Sequence, residues 1–147
     1  MKAGIKTSIS LGLAFILVLG SLTACGKDRN LYGTWKGARD WRSLNLDSEE
    51  VARALAAVDL ELKGTGAFTL NDGSVKFDGN WIQSGDTIEL RVESILNRPL
   101  EQQSDAVKKS ADFVVRYQGG KMFFKNPTDT MEIELKKENE TQAKGVS

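Results

Sequence analysis

From Leu60 to Leu135 the apolar residues of this chain recur at every second position, and that period decides most of what it can fold into. Leu60 and Leu62 alternate with Glu61 and Lys63, and Phe68 and Leu70 flank Thr69. Val75, Phe77, Gly79 and Trp81 share one parity, against Lys76, Asp78 and Asn80 on the other. Ile88, Leu90 and Val92 repeat the pattern, as do Phe113, Val115 and Tyr117, then Met122 and Phe124, then Met131, Ile133 and Leu135. Successive strand side chains point to opposite faces. Each run therefore has one apolar and one mostly polar face, as an antiparallel sheet solvated on one side requires.

The punctuation between runs is turn chemistry. Gly64-Thr65-Gly66, Asn71-Asp72-Gly73, Ser84-Gly85-Asp86 and Gly119-Gly120 fit hairpins, and Asn126-Pro127-Thr128-Asp129 fits a longer turn. Asp72, Asp78 and Asp86 read as turn and outer-face residues. Ahead of these runs, Leu31-Tyr32-Gly33-Thr34-Trp35-Lys36 reads as a first strand with Gly33 and Trp35 on one face. The strands fall at roughly 33–41, 58–63, 67–71, 74–83, 86–93, 112–118, 121–125 and 130–137. The expected fold is all-β: an eight-stranded antiparallel up-and-down barrel, because closure removes the sheet edges. A partly open barrel or a two-sheet sandwich meets the same pattern.

Two connections are long. Asp47 to Ala57 predicts a short helix between strands one and two, with Asp47 as N-cap, Glu50 completing a capping box, and Leu46 and Val51 at the spacing of a hydrophobic staple. Val51, Leu55 and Val58 would form its narrow apolar stripe. Ser94 to Ala111 is broken by Pro99, with one or two helical turns expected between Glu101 and Ser110. In an up-and-down barrel both connections lie at the same end. The barrel then has one elaborated mouth and one floor of tight turns, where the N-terminus enters. Function concentrates in irregular loops, so a site is expected at the mouth.

The N-terminal segment 1–24 has the order of an export signal: Lys2 and Lys6, then an uncharged apolar stretch from Ile9 to Leu22. Leu22-Thr23-Ala24-Cys25 closes it and resembles the lipobox of bacterial lipoproteins. That resemblance implies acylation of Cys25 and cleavage before it, leaving a membrane partner held through lipid. It places the protein in the cell envelope; Gly26 after the cysteine would favour the periplasmic face of the outer membrane in a two-membrane host. The tether 25–30 is short, the folded domain covers 31–137, and 138–147 is a charged, small-residue-rich tail. Residues 26–30 reach at most roughly 18 Å, so the domain is expected close to the bilayer.

Composition narrows the chemistry. The chain of 147 residues suffices for one domain, and its 20 basic and 20 acidic residues give no argument for a nucleic-acid partner. Without Lys2 and Lys6 the balance is 18 to 20, a net of −2. No histidine is present, which removes Ser-His catalysis and histidine metal ligation. Cys25 is the single cysteine and has no internal disulfide partner. No metal cage, cofactor motif or catalytic constellation is legible, so the expectation is no enzyme, no metal and no cofactor.

Gly33-Thr34-Trp35-Lys36 resembles the opening of calycins, the superfamily of lipocalins, fatty-acid-binding proteins and avidins. The succession GTWKG, LELKGTGAFTL and DGNWIQSGDTIEL is similar to that of small bacterial lipocalin-like lipoproteins. The resemblance covers roughly residues 31–137. It implies a barrel floor built from Gly33 and Trp35, with an arginine of the last strand over the tryptophan; the candidates here are Lys136 and Lys137, and if alternation continues from Leu135, Lys137 points inward as a cation–π partner of Trp35. The chain departs from the fatty-acid-binding pattern at Arg116-Tyr117, which are adjacent and should face opposite ways.

Site candidates follow from parity and position. Trp35 and Trp81 face inward and serve the core. Arg39 and Trp41 share the parity of Trp35 near the mouth; Arg39 either turns inward, where it needs a partner, or lies past the strand and points to water. Arg98 lies in a mouth loop beside Glu101 and Gln102. Arg39, Trp41 and Arg98 are the candidate ligand residues. Two functions fit: a small apolar or amphipathic ligand held at the mouth, or a barrel filled by its own side chains that serves as an envelope protein-interaction or inhibitor module.

Overall fold

The computed structural model describes residues 29–138. The expected signal segment, Cys25 and the tail from 139 onward lie outside these residues. The strands are β1 (Gly33–Ala38), β2 (Ala57–Leu62), β3 (Ala67–Asp72), β4 (Val75–Ser84), β5 (Thr87–Ile95), β6 (Arg98–Pro99), β7 (Val114–Gln118), β8 (Lys121–Lys125) and β9 (Ile133–Lys137). Two short helices interrupt them, α1 (Glu49–Ala56) and α2 (Asp105–Lys109). β1 to β5, β7, β8 and β9 pair antiparallel in chain order, and β9 returns to β1 through Trp35↔Lys137 and Lys36↔Lys136, closing an eight-stranded barrel. β6 adds only Ser94↔Pro99 and Ile95↔Arg98 to the edge of β5.

The alternating residues face the interior as their period dictates. Leu60, Leu62, Phe68, Leu70, Phe77, Trp81, Ile88, Val115, Met122, Phe124 and Leu135 are all buried in one continuous apolar core. Two aromatic contacts cross the lumen between non-adjacent strands. Trp35 of β1 meets Tyr117 of β7 edge-on at 5.9 Å between ring centroids. Nearer the mouth, Phe77 of β4 meets Phe113 at 4.8 Å, and Phe113 meets Phe124 of β8 at 5.5 Å. Such pairs contribute beyond the area they bury.

Three strands and the helix α1 differ from expectation. β1 stops at Ala38: Arg39 N–H still donates to Ala56 O at 2.9 Å, but Asp40 then starts a 3-10 turn over Trp41–Leu44, its carboxylate accepting from Arg42 N–H. The cap of α1 is Ser48, whose Oγ accepts from Val51 N–H, instead of Asp47. The buried face of α1 is Ala52 and Ala56, while Val51 and Leu55 of the expected stripe are exposed. β5 runs on to Ile95 through a bulge: Gly79 pairs with Val92 and Asp78 with Ser94, leaving Glu93 as the extra residue. That insertion flips the parity, so Ile95 is buried although it is out of phase with Ile88. A Cβ on Gly79 would stand 2.0 Å from Arg91 O, so only glycine fits beneath the bulge. Finally, β9 begins at Ile133 instead of 130, and Met131 is exposed.

The loops separate by end as topology requires. The turns after β2, β4 and β7 lie at the floor with the chain entry at Arg29–Leu31 and the end of β9. The 3-10 turn, α1, the β3–β4 turn, the β6–α2 segment and the 126–132 loop lie at the mouth. β5 and β7 pair only through Thr87↔Arg116 and Ile88↔Val115 at the floor end. Above that, Leu100, Val107 and Ala111 pack against the core and cover the seam.

Candidate functional site at the barrel mouth

The mouth is organised around Arg39. It follows β1, and its guanidinium reaches two acidic residues from separate loops. Nε donates to Asp129 Oδ1 at 2.5 Å, Nη2 to Asp129 Oδ2 at 2.9 Å, and Nη1 to Asp72 Oδ1 at 2.5 Å. Asp129 thus receives the paired, fork-like contact that arginine offers a carboxylate. Asn126 completes the cluster: its Nδ2 donates to Asp72 Oδ2 at 2.8 Å, and its backbone N–H to Asp129 Oδ2 at 2.9 Å. The Asn126 side-chain oxygen accepts from the backbone N–H of Thr128 and of Asp129, which folds the loop into the shape that presents Asp129.

The cluster is partly withdrawn from solvent. The Arg39 side chain is 19% exposed, and those of Asp72 and Asp129 are 9%. Burial pushes the Asp129 carboxyl upward, but hydrogen bonds from Arg39 and from Asn126 N–H outweigh it and hold the group below the ordinary aspartate range. The hydrogen bond to Asp129 outweighs desolvation at Arg39, whose guanidinium is held more firmly protonated than usual. Arg39 has the partner that an inward arginine needs, and its charge is spent within the protein. Asp72, read from sequence as a turn and outer-face residue, is the inward end of β3 and ties the β3–β4 turn to β1.

Beside this clasp lies a cleft of about 360 Å³, lined by Leu44, Leu55, Val75, Phe77, Pro127 and the Arg39–Asp72–Asn126 wall. A second hollow, of about 740 Å³, lies on the other side of Arg39 between Ala38–Leu44 and Thr128–Glu134. Trp41 and Arg98 line neither. Trp41 sits in the 3-10 turn with its ring between Arg42 and Arg53, whose Cζ atoms lie 5.2 and 4.6 Å from the ring centroid. It packs on the outside of the mouth, not in the lumen. Arg98 is exposed on β6. Among the candidate ligand residues, only Arg39 reaches the cleft, and there it is already paired.

At the opposite end, Trp35 is buried and its Nε1 donates to Leu31 O at 2.9 Å. Lys137 Nζ lies 5.6 Å from the Trp35 ring centroid and donates to Asn30 O at 2.7 Å. Gly33 has φ +123°, and a Cβ there would stand 3.2 Å from Lys137 Cε. The three residues thus form one floor, tied to the chain entry. Among the described residues no group of three or more histidine, cysteine, aspartate or glutamate side chains is placed to hold a metal ion. Among the same residues no helix is long and apolar enough to cross a membrane. No family model, curated protein or solved structure matches the chain.

Proposed function

We propose that this chain is a lipid-anchored protein of the bacterial cell envelope whose barrel is filled by its own side chains, and that it acts as a protein-interaction module through its loop-bearing end. The observation that carries this is the pair of aromatic contacts across the lumen, Trp35–Tyr117 at the floor and Phe77–Phe113–Phe124 nearer the mouth. Eight strands enclose a space that side chains can fill, and the core here is continuous from Leu31 to Leu135. The lipobox-like Leu22-Thr23-Ala24-Cys25 supports the anchor. Chain entry at the floor then turns the mouth away from the membrane. The proposal contains no catalytic step.

One observation favours a second reading. The cleft beside Arg39 has the volume of a small-molecule site and a mostly apolar lining, so a small apolar ligand would sit there, outside the lumen. The experiment that separates the two is extraction of the protein purified from its native host, followed by mass spectrometry of the released small molecules. The filled barrel predicts an empty extract and no thermal shift with fatty acids, haem or isoprenoids. A stoichiometric apolar compound would overturn it in favour of ligand carriage.

A further inference from the structure

Most of the exposed large apolar side chains lie at the mouth, and four of them are close in sequence: Leu44 (37% exposed), Leu46 (44%), Val51 (50%) and Leu55 (39%). Val51 and Leu55, four residues apart, share one face of α1, and Leu44 lines the same cleft as Leu55. The helix needs neither of its large apolar residues for its own packing, because Ala52 and Ala56 fill that role. Apolar side chains gathered in this way and rimmed by polar groups mark interaction sites.

The charge around the patch selects the partner. Segment 40–56 carries Asp40, Asp47, Glu49 and Glu50 against Arg42 and Arg53, a net of −2. Both arginines are engaged, Arg53 with Glu49 and each of them with the Trp41 ring. Asp47 and Glu50 have no ion-pair partner among the described residues. A second copy would bring the same acidic rim, and an anionic bilayer a like charge. The described residues start at Arg29 and stop at Glu138, both at the floor, opposite the patch. Resting on the interaction-module reading above, we infer that α1 and the loop before it form a docking surface for a basic amphipathic segment of a partner protein, whose apolar side chains cover Leu46, Val51 and Leu55 and whose lysines or arginines face Asp47 and Glu50.

The test uses the full-length chain in phosphatidylcholine nanodiscs and a 14-residue peptide of leucine and lysine with helical spacing, with a leucine–glutamate peptide of the same pattern as control. Binding is read by fluorescence anisotropy. The leucine–lysine peptide should bind, and the control should not. Leu46→Ser/Val51→Ser/Leu55→Ser and Asp47→Lys/Glu50→Lys should each weaken binding at least about tenfold; all five sites are exposed, so circular dichroism and melting should stay near wild type. Equal affinity in all variants, or preference for the acidic peptide, overturns the inference. So does self-association in sedimentation, or binding to phosphatidylglycerol vesicles, that the serine variant abolishes. A photocrosslinker placed at Leu46, Leu96 or Met131 in the native host separates this failure from failure of the broader reading. Crosslinks from Leu96 or Met131 but not Leu46 leave the interaction module standing and remove this surface. No crosslinks from any mouth position remove both.

Discussion

Replacing Arg39 with methionine keeps the length and apolar stem of the side chain and removes its charge. Three hydrogen bonds to two carboxylates disappear. Asp72 keeps its bond from Asn126 Nδ2 and Asp129 its bond from Asn126 N–H, but their mutual repulsion is no longer offset. Breaking a fully buried ion pair costs about 3–5 kcal/mol, whereas an exposed pair contributes about 0–1 kcal/mol. With side chains 9–19% exposed, the cluster sits between these limits and nearer the first. We therefore expect a loss of about 2–3 kcal/mol at neutral pH, or about 8–12 °C in Tm for a domain of this size. Urea and thermal unfolding followed by tryptophan fluorescence measure it.

The pH dependence of that loss makes the prediction specific. Asp129 titrates below its unfolded value in the native protein. A depressed carboxyl stabilises the fold above the unfolded pKa of about 4, and that contribution is lost as pH falls through the folded pKa. The wild type should lose it on acidification; Arg39→Met has little to lose, because the Asp129 carboxyl is no longer held down. The gap between the two proteins should narrow from neutral pH toward about pH 3. Arg39→Lys should recover less than half, since a point charge does not reproduce the fork. Adding Asp72→Asn and Asp129→Asn to Arg39→Met should recover stability at neutral pH by removing the orphaned charges. A gap below about 0.5 kcal/mol, or one unchanged between neutral and acid pH, would refute the clasp.

Three further outcomes test other parts of the molecule. Phe124→Ala should cost about 3–5 kcal/mol and open a dry space in the lumen that takes up benzene or xenon, seen as a thermal shift the wild type lacks. Gly79→Ala forces a Cβ against the Arg91 carbonyl; it should lower stability by about 3 kcal/mol or more, or prevent soluble expression, unless β5 gives up its bulge. Cys25→Ser should move the protein from the membrane to the soluble fraction of a fractionated native cell and abolish labelling by an alkyne-tagged fatty acid, leaving the melting temperature of the barrel unchanged.

Much of this was legible in the sequence because a strand's period leaves little freedom. Leu60, Phe68, Phe77, Ile88, Val115, Phe124 and Leu135 were placed inward by alternation alone, and they are buried. Alternation fails where something interrupts the strand. Trp41 counts as inward only if β1 continues, and Asp40 ends it by capping a 3-10 turn. Ile95 counts as outward only if β5 has no bulge, and the residue that permits the bulge, Gly79, lies on the neighbouring strand. The clasp was half legible. Arg39 continues the parity of Trp35 and so could be placed at the inner rim; Asp72 reads as a turn and outer-face residue because it stands before Gly73, although it lies at the inward end of β3. Asp129 carries no such signal, since its position depends on how Asn126 folds its own loop. The helix was found but its face was not. The small Ala52 and Ala56 face the barrel and the large Val51 and Leu55 lie outside, which apolar spacing alone does not reveal because small and large apolar residues both fit a stripe.

That orientation of α1 bears on how the mouth functions. Had Val51 and Leu55 closed over the core, the mouth would be a lid stabilised by its own burial. Instead the clasp fixes β1, the β3–β4 turn and the 126–132 loop through polar contacts, and the apolar residues of α1 remain outside this framework. Polar, directional contacts set the shape of the rim, while the hydrophobic energy of the four exposed residues stays uncommitted within the fold. Burying one such side chain is worth roughly 1.5–3 kcal/mol when fully exposed at the start, so half-exposed residues together retain several kcal/mol for association. The two roles are separable by mutation: loss of the clasp should alter stability far more than peptide binding, and loss of the patch should do the reverse. A variant series in which both properties fell together would mean that the clasp and the patch are one structure, and that α1 is held in place by its exposed face after all.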